Sequence, residues 1–223
     1  MSRRDPHGSE DPHGDRTLGA AGAPVAEADT AVVLVHGRGA TARSILGFGE
    51  SIAGDSVALL APQAAANTWY PNSFLAPVER NEPGRSSGLA AVGNAVRTAT
   101  DAGIDAERVL VAGFSQGACL ASEFVARTPR EYGGLAALSG GLIGETVAIG
   151  DYVAGDEADP LAGTPAFLGC SDVDPHIPEE RVHVTDEVLS ALGADVETRI
   201  YEGMGHGINE DETERVTALV SAL

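Results

Sequence analysis

The sequence predicts an α/β protein built on a mostly parallel, doubly wound sheet flanked by helices. Three observations predict it. Short apolar runs alternate along the chain with longer segments of helical pattern. The runs at 31–35, 109–112 and 165–170 are apolar without a polar alternation, as strands covered on both faces should be. Polar, glycine-rich clusters follow several of these runs, at the carboxyl ends where open α/β sheets bind ligands. A chain of 223 residues with 43% apolar content has the length for one domain with a sizeable core.

Taken in order, residues 1–28 are rich in Gly, Pro and charge and predict a loosely held arm or an edge hairpin ahead of a single domain spanning 29–223. Within the arm, Asp5-Pro6-His7-Gly8 is echoed by Asp11-Pro12-His13-Gly14. Two histidines in a short tract suggest a metal, but no Cys or third ligand accompanies them, so no metal site is expected. The β-branched run 31–35 is a strand ending at His36-Gly37-Arg38-Gly39, and Thr41 is placed to cap a helix running to about residue 53. A strand at 56–61 is stopped by Pro62; residues 63–84 are irregular and hold Trp69, Tyr70 and Phe74. A helix over 86–102 and a strand reaching residue 112 follow, then Gly113-Phe114-Ser115-Gln116-Gly117 and a helix over 118–127. The remaining expectations are strands at 133–139, 165–170 and 195–201, helices at 179–192 and 210–222, and a mostly irregular stretch at 142–163. No stretch is long enough for a separate cap domain, and none approaches the roughly 18 apolar residues of a membrane span.

Charge narrows the function classes. The formal net charge is −19, and all 14 basic residues are Arg. Such a surface repels nucleic acid and anionic membranes, so neither is expected as a partner. The acidic residues are scattered, which reads as a solvated shell and predicts stability that rises with salt. The polar residues 1–15 contain no apolar stretch of the secretory type, so the expected location is cytoplasmic. Cys119 and Cys170 fall inside predicted core elements and read as free, buried thiols.

The chemistry is organised around Ser115. Strand, Gly-x-Ser-x-Gly, helix forces a serine onto a tight turn; the glycines let strand and helix approach, and the hydroxyl is lifted clear of the sheet. The backbone N–H of Gln116 then points where an oxyanion would form. A serine hydroxyl needs an imidazole to take its proton, and the imidazole needs a carboxylate to fix its tautomer. His206 follows the last predicted strand, in a loop with Gly203, Gly205 and Gly207. The acid lies in Ser171-Asp172-Val173-Asp174-Pro175-His176-Ile177-Pro178, where Asp172 and Asp174 compete. Serine, acid, histidine is the triad order of this architecture. Trp69, Tyr70, Phe74 and Leu75 are either satellite core or a pocket wall, with Leu142, Ile143, His176 and Ile177 opposite. His36 reads as structural, and His183 as a surface residue on a helix.

Together, His36-Gly37-Arg38-Gly39, the Phe114-Ser115-Gln116 elbow, Asp174-Pro175-x-Ile177-Pro178 and Gly203-x-x-His206 resemble the phospholipase/carboxylesterase family of α/β hydrolases, relatives of acyl-protein thioesterases. The resemblance spans about 31–223. It implies the α/β-hydrolase fold, a triad of Ser115, Asp174 and His206, and oxyanion donors at the amides of Arg38 and Gln116, with Gly37 in the substrate site. Arg38 stands where thioesterase members carry an apolar residue, and Trp69-Tyr70-Pro71-Asn72-Ser73-Phe74 resembles an esterase-like bacterial and archaeal branch instead. The expected activity is hydrolysis of small-to-medium acyl esters without metal or cofactor. A thioesterase, lysophospholipase, peptidase or lactone hydrolase would use the same residues, and a binding protein that kept the pocket is the rival outside enzymes. A small-molecule ester is the expected partner; a homodimer is allowed but not required. The Arg38 guanidinium either faces solvent or grips a substrate carboxylate.

Overall fold

The computed structural model describes residues 10–152 and 159–223. Seven strands form one sheet: β1 (Gly19–Gly22), β2 (Thr30–Val35), β3 (Val57–Ala61), β4 (Val109–Phe114), β5 (Gly134–Leu138), β6 (Pro165–Ser171) and β7 (Asp195–Tyr201). Their order is β1-β3-β2-β4-β5-β6-β7; every pairing is parallel except β1 with β3. Among the described residues, five α-helices accompany them: α1 (Ala42–Ile52), α2 (Gly84–Asp101), α3 (Gln116–Arg127), α4 (Glu179–Ala191) and α5 (Glu210–Ser221).

The central strands β2, β3, β4 and β5 are buried almost throughout, which is why their sequences carry no polar alternation. Two apolar clusters fill the molecule. The larger packs Trp69, Val96, Leu120 and Phe124 with β2, β4 and β5; the smaller packs Leu46, Ile52, Val216 and Val220 with the alternate residues of the same strands. One lies on each face of the sheet, the signature of helices covering both sides.

Local signals set the helix ends. Thr41 and Ser44 form a reciprocal capping box at the start of α1, and Asn209 and Glu212 form another at the start of α5. The α3 helix starts two residues earlier than its apolar pattern, immediately after Ser115.

Of the two expectations for the arm, residues 10–28 form an edge element and are not loosely held. Here β1 is the antiparallel edge strand beside β3, and His13 is buried at 2% exposure. His13 earns that position through backbone partners at residues 65 and 69, so the arm is part of the domain. His7 lies outside the described residues. Cys119 and Cys170 are free and buried, and His183 is exposed on α4, 3.3 Å from Glu179.

Candidate active site

The elbow is a matter of close approach. Ser115 links β4 to α3 with φ 57° and ψ −123°, a region costly for a side-chain-bearing residue. A Cβ on Gly113 would lie 2.4 Å from the carbonyl oxygen of Gly117, and one on Gly117 would lie 2.0 Å from that of Val35, at the end of β2. Neither position accepts a side chain, so strand and helix meet only because both are glycine. Two hydrogen bonds hold the strained residue: its N–H donates to Leu138 O at 2.9 Å, and its carbonyl accepts from the Cys119 N–H at 3.0 Å.

The sheet brings the ends of β4, β6 and β7 to one rim. There His206 Nε2 lies 2.9 Å from Ser115 Oγ, and His206 Nδ1 lies 2.7 Å from Asp174 Oδ2. A carboxylate acceptor at Nδ1 assigns the proton to that nitrogen and leaves Nε2 as acceptor for the serine hydroxyl. Asp174 is the better-buried partner, its side chain fully covered, and its other oxygen accepts the N–H of His176 (2.8 Å) and of Ile177 (3.1 Å). Burial opposes its charge, but the bonds from His206, His176 and Ile177 outweigh burial and hold the carboxyl below its usual range. The His206 ring packs against the Phe114 ring (centroids 5.0 Å apart) and, nearly perpendicular, against the His176 ring (4.9 Å).

Asp172, the competing aspartate, does something else. Its Oδ1 accepts the Gly203 N–H at 2.7 Å, while Ser171 Oγ accepts that of Gly205 at 3.0 Å. Both glycines have positive φ. The segment after β6 thus shapes the His206 loop and supplies the carboxylate that His206 meets.

On the other side of β4, the loop after β2 lies against the elbow: a Cβ on Gly37 would sit 3.3 Å from Phe114 O and 3.4 Å from Ser115 Cβ. Among the described residues, the N–H groups of Arg38 and Gln116 have no hydrogen-bond acceptor. The Arg38 guanidinium does not stand free. It donates to the carbonyls of Tyr70 (2.9 Å), Pro71 (3.1 Å) and Asn72 (2.7 Å). The Gln116 side chain grips the same strap, accepting the Trp69 N–H at 3.0 Å and donating to Tyr70 O at 2.9 Å. His36 is buried and structural: Nε2 accepts the Ala64 N–H at 3.1 Å, which assigns Nδ1–H as donor to Gly37 O at 2.8 Å. Burial pushes its pKa below the ordinary imidazole value.

These groups open onto a cleft of about 550 Å³ lined by Gly37, Arg38, Tyr70, Phe74, Gln116 and His176 among the expected residues. Four expected wall residues are elsewhere, among them Leu75, which packs against the larger apolar cluster. Trp69 is wholly buried, its indole N–H donating to His36 O at 2.8 Å. Leu142 and Ile143 turn into the core because their N–H groups are taken by Thr185 Oγ1 and by the buried carboxylate of Glu123. Ile177, expected on the same wall, does line the cleft, and Phe114 lines it as well. Sequence reasoning missed Ala40, Phe114, Pro71, Asn72, Ser73 and Cys119 as lining residues; Phe114 could have been found, since it immediately precedes Ser115 at the strand's carboxyl end. Burial pushes the Cys119 thiol up to about 12, which keeps it an uncharged floor residue.

Residues 20–223 match the family model for phospholipase/carboxylesterase. The chain belongs to that family. Its fold superposes on a phospholipase/carboxylesterase from Dyadobacter fermentans with a TM-score of 0.86 and 42% identity, covering 93% of this chain and 97% of that one. Acyl-protein thioesterase 1 of Gibberella zeae is 33% identical over 128 residues, covering 57% of this chain and 53% of the relative. The Saccharomyces cerevisiae protein of the same name is 29% identical, covering 61% and 59%. The match therefore spans a little over half the length of these curated relatives. At 21% identity and a TM-score of 0.69, Arabidopsis thaliana SOBER1 shares the fold. No helix among the described residues is long and apolar enough to cross a membrane.

Proposed function

We propose that this member of the family is a serine carboxylesterase that cleaves neutral esters of small to medium acyl size. The observation that carries the reading is the unbroken hydrogen-bond path from Ser115 through His206 to Asp174, ending at the cleft. Ser115 Oγ attacks the ester carbonyl as its proton passes to His206 Nε2, and the N–H groups of Arg38 and Gln116 receive the developing oxyanion. His206 then delivers the proton to the departing alkoxide, releasing the alcohol and leaving an acyl group on Ser115. Water attacks next, deprotonated by the same imidazole, and the free acid leaves. Asp174 keeps the imidazole in one tautomer and offsets its transient positive charge.

The cleft dimensions and lining bear on the substrate. A space of about 550 Å³ suits a small or medium ligand. Among the described residues that line it there is no Asp or Glu, in a chain that carries 33, so nothing there attracts a cationic substrate. A thioester would use the same residues, and the name of the fungal relatives favours that second reading.

Turnover of p-nitrophenyl esters of increasing chain length, beside the matching thioesters, tests both. Ser115→Ala is expected to remove at least about 10³-fold of kcat with the fold intact; a variant that retained turnover would exclude the mechanism. A fluorophosphonate probe should label Ser115 in the wild type, and an unlabelled protein would point to a binding module.

A further inference from the structure

The arm ahead of β1 carries buried chemistry that the triad does not use. Residues 10–16 precede the span that matches the family. Asp11 Oδ1 accepts the Ser87 hydroxyl at 2.5 Å, and Ser87 Oγ accepts the His13 N–H at 2.9 Å. The His13 ring, 2% exposed as a residue, spans the next loop: Nδ1 accepts the Ala65 N–H at 2.9 Å, which assigns Nε2–H as donor to Trp69 O at 2.8 Å. Its edge packs on the Trp69 ring, with centroids 5.2 Å apart and planes at 72°.

Trp69 passes the constraint on. Its indole N–H holds His36 O, its ring lies 4.9 Å from the His36 ring, and its backbone N–H holds the Gln116 side chain. Ala64, next to the residue that His13 grips, donates to His36 Nε2. His36 and Gly37 immediately precede the Arg38 amide. From His13 to that amide runs a contiguous path of buried hydrogen bonds and ring contacts.

We infer that His13 is a positioning residue: the arm clasps the 64–69 loop so that the Arg38 amide is held at the oxyanion position. The inference rests on the proposed esterase reading. It separates from a general stabilising role because the path ends at the oxyanion loop, while the His206 loop is held by residues 171–174. Loss of the clasp leaves the proton relay in place and spoils only the reception of the oxyanion. Misplacement of a catalytic group by about 1 Å costs up to about 10²-fold in rate.

The test uses the full chain carrying His13→Ala, assayed on a p-nitrophenyl ester well below the unfolding midpoints of both proteins. Expected are a kcat lower by about tenfold or more, a KM close to wild type, and partial recovery of kcat with added free imidazole. An unchanged kcat with only a lower midpoint would overturn the inference, as would loss of kcat that imidazole does not restore. Should His13→Ala fail to fold, Ser87→Ala cuts the clasp one bond earlier; it should lower kcat in the same direction by less, and an unchanged kcat overturns the inference equally. A wild type that neither turns over esters nor takes the fluorophosphonate label would instead sink the functional reading beneath it.

Discussion

The loop carrying His206 and the loop carrying Arg38 reach Ser115 from opposite sides of β4, one after β7 and one after β2. The first is tied mainly to one short segment: Ser171, Asp172 and Asp174 hold Gly205, Gly203 and His206 in turn, with one further bond from Ser139 Oγ to Gly207 O at 3.4 Å. The second is tied from several directions by neutral groups and one guanidinium: His36, Trp69, Gln116 and Arg38 link it to the 64–72 strap. The difference matches the tasks proposed for the two loops. A group that must take and release a proton is held by carboxylates that offset its charge, whereas donors aimed at a developing oxyanion serve best when fixed beforehand.

Breaking the first attachment should produce the largest effect. Asp174→Asn leaves His206 without the charge that fixes its tautomer, and kcat is expected to fall by about 10³–10⁴-fold. Steady-state kinetics with unchanged far-UV circular dichroism would check it; a loss under tenfold would mean that Asp174 does not serve His206.

Breaking the second attachment should cost less, because several groups share it. Arg38→Met removes three hydrogen bonds to the strap and is expected to lower kcat/KM by about 10–100-fold. Arg38→Lys should recover only part, since one ammonium cannot reproduce a planar fork that spans three consecutive carbonyls. Full activity in Arg38→Lys would reduce the side chain to a point charge.

A smaller effect distinguishes the two sides by pH. Glu212, in the cap that starts α5 just beyond His206, is wholly buried: one oxygen accepts the Asn209 N–H at 2.8 Å, and the other has no partner among the described residues. Burial pushes its carboxyl from 4.5 up to about 7. A raised folded pKa means that its contribution to stability is complete below the unfolded value and is lost as pH rises through about 7. The loss is on the order of 3 kcal/mol. Asp174 has the opposite sign: its depressed pKa adds stability above the ordinary carboxylate value, lost as pH falls through the folded one. Urea unfolding between about pH 5 and pH 8 should therefore show wild-type stability declining, and Glu212→Gln flattening the decline; identical pH dependences would refute the assignment.

Salt should act least selectively. With a net charge of −19, the melting temperature is expected to rise with KCl as the shell is screened. A midpoint independent of salt would show that the acidic surface costs the fold nothing.

Much of this arrangement was legible in the chain. The strands β2, β4 and β6 were readable from apolar or β-branched runs, and the Thr41 cap from a residue with one local task. Ser115 was legible because the glycine spacing expresses a local steric demand. Asp174 was harder, since two aspartates stand two residues apart and only their partners, Gly203 and His206, tell them apart. Trp69 was ambiguous for the same reason: an aromatic in an irregular loop carries no period that says which way it faces. The arm stays open between loose chain and edge element because a stretch rich in Gly, Pro and charge carries no burial pattern, and the value of His13 depends on carbonyl and amide groups more than 50 residues away.

What the sequence determined by itself is whatever neighbours along the chain decide: the alternation of strand and helix, the strained elbow, the chemical types and order of Ser115, Asp174 and His206. What only the tertiary structure decided is where long side chains point, whether Arg38 toward the strap, Trp69 into the core or the arm across the 64–69 loop. The physical reason is range. Backbone sterics and burial period act over a few residues, while a buried donor settles on whichever acceptor the fold happens to bring within hydrogen-bond distance.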